Sequence, residues 1–211
     1  MSDDLKTFKR RAAGLQLRGQ KLEKQPLAFL FAPNAGLADV WFAGSDLLAA
    51  TFAGATIADS SFTSCALQTA TFRGATLTHV VFSHSDLRGA SFDGAVLRGV
   101  TFVDCQLEGA SFLGARLQRP VEFTRCGLRA ADLRFYESEA GAPAFEASDL
   151  RGVHLSVNCE FWNGTFDERA SGDFGRVWAR ATGDAAAIAF VRERYGAEAY
   201  DRVDAYMKRE G

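Results

Sequence analysis

Long apolar runs, clustered cysteines and an excess of positive charge are all missing from this 211-residue chain. Without a stretch of about 18 apolar residues, nothing reads as a membrane-spanning helix. Asp3, Asp4, Lys6, Lys9, Arg10 and Arg11 stand where a signal peptide needs its apolar segment, so a cytoplasmic location is expected. The four cysteines (Cys65, Cys105, Cys126 and Cys159) include no CxxC pair, and in a reducing compartment they read as buried free thiols. Residues 1–33 carry 7 basic and 3 acidic groups, residues 34–133 carry 7 and 9, and residues 134–211 carry 10 and 14, giving +4, −2 and −4. No segment is basic enough to make nucleic acid a direct partner.

What the chain does have is phenylalanine, 18 against 3 Trp and 4 Tyr, which suggests an ordered, dry stack of rings without polar handles. A large apolar residue falls at every fifth position from Leu37 through Phe42, Leu47, Phe52, Ile57, Phe62, Leu67, Phe72, Leu77, Phe82, Leu87, Phe92, Leu97, Phe102, Leu107 and Phe112 to Leu117. A helix would rotate such a stripe by about 140° per repeat, and a strand would alternate it between faces. A different backbone path must therefore hold these side chains together. Two positions before each centre the residue is never larger than Val, as at Val40, Ser45, Ala50, Ala55, Ser60 and Cys65, so that position also points inward.

The longer period fixes the number of sides. Ala50–Gly54, Ala70–Gly74, Ala90–Gly94 and Ala110–Gly114 are near copies twenty residues apart, whereas the intervening Phe blocks differ in their small residue and mostly lack the terminal Gly. Four pentapeptides thus make one coil of about 20 residues. Stacked at the spacing of hydrogen-bonded strands, such coils satisfy one another's backbone groups everywhere except at the two ends. The Gly column at 54, 74, 94 and 114 marks a corner with positive φ, consistent with a type II turn.

Ser45-Asp46-Leu47-Leu48-Ala49 and Ser85-Asp86-Leu87-Arg88-Gly89 resemble the A(D/N)LXX consensus of the pentapeptide-repeat family. The resemblance covers 35–119 without a break and resumes around Phe123, Phe145 and Phe161. It implies an all-β solenoid, the right-handed quadrilateral β-helix of that family, with Phe42, Phe52, Phe62, Phe72, Phe82, Phe92, Phe102 and Phe112 as structural core.

Three parts are expected: an N-terminal cap with a degenerate first coil (1–33), the repeat β-helix (34–166) and a C-terminal helical cap (167–211). Residues 3–13 are expected to form a short helix carrying Leu5, Phe8 and Ala12 on one side. The step of six from Leu117 to Phe123 places an extra residue beside Pro120, which suits a bulged corner. The step of twelve from Leu133 to Phe145 reads as a projecting loop over 134–144, and insertions of this kind often carry function. In the C-terminal cap, Trp178, Tyr200, Val203, Tyr206 and Met207 form the candidate face of a homodimer, as in family members that pair through their C-terminal ends.

Candidate chemistry is thin. Asp59 with His79, and His84 with Asp104, stack on neighbouring coils, but no third ligand is in phase, so neither a metal nor any other cofactor is expected. No triad, phosphate loop or paired-carboxylate site stands out, and no enzyme activity is expected. The function implied is a rigid protein-binding or scaffold module, with Asp39, Trp41, Asp46, Asp59, Phe135, Tyr136 and Glu137 as candidate contacts. Trp41 either packs beneath the N-terminal cap or serves as an exposed contact. The resemblance implies an alternative, since some members bind DNA gyrase, a topoisomerase, by mimicking duplex DNA and shield it from inhibitors. Asp39, Asp46 and Asp59 would supply the negative patch, although Arg73, Arg88, Arg98, Arg116, Arg119, Arg125 and Arg129 interrupt any longer stripe.

Overall fold

The structure is a computed structural model that describes residues 13–118, 120–136, 143–155, 160–162 and 171–172. The chain winds as a right-handed, all-β, four-sided solenoid of parallel coils, with no helix among the described residues. The helix expected near the N-terminus falls outside them apart from residue 13, and of the expected helical cap 167–211 only Ser171–Gly172 is described, as a strand paired with His154–Leu155 and not as helix. No described helix is long and apolar enough to cross a membrane.

The path accounts for the period of five. Each pentapeptide lays one side, its central residue points inward, and its final residue turns the corner with φ between 47° and 68°. This left-handed conformation costs little only for glycine. At Gly74, Gly94 and Gly114 an added Cβ would meet nothing within 4 Å, so the requirement there is φ rather than space. The Ala90 N–H donates to the Leu87 carbonyl at 2.9 Å and the Ala95 N–H to the Phe92 carbonyl at 3.0 Å. With positive φ at Gly89 and Gly94, both corners have the pattern of a type II turn.

We name the four sides by their residues in one coil: the Phe82, Leu87, Phe92 and Leu97 faces. The Phe82 face is an eight-stranded parallel sheet running from Lys21–Glu23 to Glu160–Trp162, and the Leu97 face is a six-stranded one from Gln16–Arg18 to Arg116–Leu117. The other two faces are held by single bridges such as Asp46 to Ala66 and Thr51 to Thr71, twenty residues apart, until the Phe92 face ends in a three-stranded sheet of Asp132–Leu133, His154–Leu155 and Ser171–Gly172. Inside, Phe82 stacks on Phe62 at 4.9 Å and on Phe102 at 5.0 Å. It meets Phe72 and Phe92 edge-on at 5.6 and 5.8 Å. All eight core phenylalanines named above are fully buried.

Two irregularities interrupt the translation. Phe102 pairs with Phe123, a register of 21, yet their rings still stack at 4.8 Å and 2°. The extra residue near Pro120 is therefore absorbed outside the core. The second departs from the sequence expectation. Arg116 bridges to Tyr136, whereas Ser111 bridges to Asp132, so one residue has been lost from the corner between them. Phe135 alone stands where the coil below has Gly114 and Ala115. Arg134, Phe135 and Tyr136 continue the wall instead of beginning a loop, and the wall resumes at the buried Pro143 and the strand Ala144–Glu146.

Candidate binding surface

A repeating wall supplies its own standard of comparison, because each column shows which residue types the position needs for folding alone. The inward column Ser45, Cys65, Ser85, Cys105, Cys126 and Ser148 is buried throughout. The Ser85 hydroxyl accepts the Cys65 N–H at 3.0 Å and donates to the carbonyls of Phe62 and Ser83 at 3.1 and 3.0 Å. Ser148 treats the Cys126 N–H in the same way, at 3.1 Å. The column therefore needs an acceptor as well as a small side chain. Cys65, Cys105 and Cys126 are free thiols. Burial pushes the Cys65 thiol up, while Cys126 is raised first by its bond with Cys105 and then by burial. The same bond lowers the Cys105 thiol, but all three are buried, so none is an accessible nucleophile.

On the outside, four aromatic side chains break their columns. Phe29 is 72% exposed, Phe31 51%, Trp41 44% and Tyr136 60%. Trp41 occupies a column otherwise made of Lys21, Ser61, Val81, Thr101, Glu122 and Ala144. It is exposed on the described wall, and the N-terminal cap, its alternative packing surface, is described only from residue 13 onward. Tyr136 lies over the Arg116 guanidinium, 5.1 Å from the ring centroid, a cation–π contact. Phe135 does not join it. Only 4% exposed and 5.8 Å from the Phe112 ring, Phe135 is core, which corrects its expected role as a contact residue. Glu137 and the C-terminal candidates Trp178, Tyr200, Val203, Tyr206 and Met207 lie outside the described residues.

The charges divide along the axis. In the later coils four wall aspartates close on arginines: Asp86 with Arg88, Asp132 with Arg134, and Asp149 with both Arg129 and Arg151, all at 2.5 Å, and Asp104 with Arg125 at 2.7 Å, while Asp93 accepts from the Ser111 hydroxyl and the Leu113 N–H instead. The Arg134 guanidinium holds the Asp132 carboxyl below its usual range, and Arg125 does the same for Asp104. In the early coils, among the described residues, Asp39 has only an exposed Arg18 at 3.8 Å and Asp59 only His79 at 3.2 Å. Asp46 accepts the Leu48 N–H at 3.1 Å and has no cation in ion-pair range among the described residues. His84 lies 3.8 Å from Asp104, and no cluster of three metal-ligating side chains forms among the described residues.

Asp39 and Asp59 mark the corner where the Leu97 and Phe82 faces meet. Over three coils the outward strand positions on the first of these are Gly36, Ala38, Thr56, Ala58, Thr76 and Thr78, and over four coils those on the second are Trp41, Ala43, Ser61, Thr63, Val81, Ser83, Thr101 and Val103. None is charged. The result is an uncharged strip of two flat sheets over three to four coils, edged by acid, with Trp41 beside the corner.

Residues 35–112 match the family model described as the pentapeptide repeat region, so this segment of the chain is a pentapeptide repeat region. Among curated proteins none matches it. Among solved structures it is similar to full-length QnrB1, a plasmid-mediated fluoroquinolone resistance protein, at 19% identity and a TM-score of 0.43, over 86% of this chain and 97% of that one. It is also similar to HetL, a pentapeptide repeat protein involved in heterocyst differentiation regulation from the cyanobacterium Nostoc, at 16% identity and a TM-score of 0.41, over 82% and 92%.

Proposed function

We propose that the chain is a non-catalytic, rigid protein-binding module whose contact surface is the corner shared by the Leu97 and Phe82 faces. The observation that carries this is Trp41: a large aromatic, exposed, in a column whose other members show that folding does not require it, beside two flat uncharged sheets. Trp is the kind of anchor on which binding energy concentrates, and a wall stitched by continuous ladders loses little freedom on binding. In-cell photo-crosslinking from position 43, next to Trp41, should capture a defined partner, and capture should fall at least tenfold in Trp41→Ser. The same probe at Ser91, on the opposite face, should capture none of it. Equal capture from both faces, or capture indifferent to Trp41→Ser, would remove the proposal.

A second reading keeps gyrase or another topoisomerase as the partner. Asp39, Asp46 and Asp59, which no described arginine closes tightly and which lie together in the early coils, favour it. Fluoroquinolone resistance in QnrB1 is a property of that protein and sets the assay. The reading predicts salt-sensitive binding to gyrase, lost in the triple Asp→Asn variant, and recovery of supercoiling in the presence of a quinolone. No binding at low salt would exclude it. Homodimerisation through the C-terminal residues 167–211 belongs to the same proposal and is read by sedimentation with and without Tyr200→Ser and Tyr206→Ser.

A further inference from the structure

Two of the four exposed aromatics sit together, away from the Trp41 corner. Phe29 occupies a corner column whose other members are Ala49, Thr69, Gly89, Gly109, Ala130 and Gly152, and it does so at φ 60°, where a bulky side chain is locally unfavourable. Phe31 heads a column that continues with Thr51, Thr71, Ser91, Ser111 and Asp132. The Phe29 N–H donates to the Leu48 carbonyl at 2.7 Å, so the main chains of the two residues are neighbours on successive coils, and Leu48 is itself 36% exposed. Neither phenylalanine contributes to the core. A pair of solvated rings on one corner has the character of a covered contact surface.

The chain itself indicates what covers it. The Gly14 N–H donates to the Pro33 carbonyl at 2.8 Å and the Gly36 N–H to the Leu15 carbonyl at 2.8 Å. Residues 14 and 15 therefore run one coil beneath 34 and 35, so the described chain begins, at residue 13, close to the stretch that leads from Phe31 to Asn34. The segment preceding residue 13 carries Leu5 and Phe8 three residues apart, with Lys6, Lys9, Arg10 and Arg11 around and after them and Asp3 and Asp4 before them, four cations against two anions. Asp46, exposed on the face that bears Leu48 and without a described cation partner, offers the complementary charge. Twelve residues reach about 18 Å even as a helix, enough to span two coils spaced by about 5 Å.

We infer that residues 1–12 of this chain dock on the outside of the solenoid, Leu5 and Phe8 against Phe29, Phe31 and Leu48, with the cations toward Asp46. The surface belongs to the protein's own leading segment rather than to a partner, and the inference holds whether or not the Trp41 corner binds one.

The test replaces Phe29 with the photo-crosslinker p-benzoylphenylalanine in the full chain and irradiates purified protein at low micromolar concentration. The expected product is an internal crosslink, monomeric in mass, mapping to the peptide around Leu5 to Phe8. The same probe at Thr69, two coils along the same column, should give at least fivefold less, and Leu5→Ser with Phe8→Ser should lower the Phe29 product at least fivefold while the β-sheet circular dichroism is unchanged. Crosslinks between chains would assign the surface to a second copy and overturn the inference. Equal yield from positions 29 and 69 would do the same.

Discussion

The Ser85 hydroxyl offers a sharp test of how this wall is held together. It is 1% exposed, it takes the Cys65 N–H at 3.0 Å, and no carbonyl stands in for it there. Ser85→Ala leaves that N–H buried and unpartnered, at a cost of about 1–3 kcal/mol. Ser85→Cys keeps an acceptor of the kind the column already uses at 65, 105 and 126, so its cost should stay below about 1 kcal/mol, mostly for fitting the larger sulfur. Ser85→Val matches the shape yet orphans the same N–H, and should resemble Ala or do worse. Denaturant unfolding followed by circular dichroism gives the three differences, and hydrogen exchange at the Cys65 amide should accelerate in Ala and Val but not in Cys. If all three variants unfold together, the column selects for size alone and the hydrogen-bond argument is wrong.

Other consequences can be checked in the same assay. Phe82→Ala removes a ring that four neighbours hold in place and should cost about 3–5 kcal/mol, whereas Phe82→Leu, the residue the neighbouring faces use, should cost about 1–2 kcal/mol; equal losses would mean the ring stack adds nothing. Thr69 is β-branched at φ 55°, so Thr69→Gly should stabilise the protein by several tenths of a kcal/mol, relief of left-handed strain outweighing the added freedom of the unfolded chain. Because arginine lowers the Asp104 and Asp132 carboxyls in the fold, their contribution is present above the unfolded pKa of about 3.9 and lost as pH falls through the lower folded values. Unfolding midpoints should therefore drop below about pH 4, and Arg134→Gln should blunt that drop.

The sequence made the solenoid legible because its signal is translational: a residue every five positions and a copy every twenty specify sides and coils without any knowledge of contacts. The same signal failed at Phe135. A missing residue at the corner shifts the phase by one, and counting forward from Leu133 turns a continuing wall into a loop. The step of twelve to Phe145 is two ordinary pentapeptides plus two residues, and register, which only the bridge from Arg116 to Tyr136 reveals, shows where the surplus lies. The Ser and Cys column was legible as small but not as an acceptor, since Ala fills two other inward columns and size explains all of them equally. Phe29 and Phe31 escaped notice for a related reason. They precede the strict repeat, and only their alignment beneath Ala49 and Thr51 exposes them as departures.

If the coil is the folding unit, removing a whole one should be far milder than removing half. Deleting residues 60–79 joins Asp59 to Val80, a residue from the same column as Ser60, so each remaining side chain keeps its face, its corner type and its inward partner. The loss is one set of coil-to-coil contacts from an array whose stability is a sum over neighbours, and the product should unfold cooperatively at a modestly lower denaturant midpoint. Deleting 60–69 also keeps the Phe and Leu centres in phase at five. It nevertheless turns everything beyond it by half a coil, setting the type II corners of the Phe92 face over the three-residue strands of the Phe82 face and the Ala column over the Ser and Cys column. Cys65 is lost, and the backbone donors that this column accepts would face methyl groups. A half-coil deletion that folds as well as the full one would mean that the pentapeptide is the true unit and that the four faces are interchangeable. That result would also remove the basis for treating an exposed aromatic as a departure from its column.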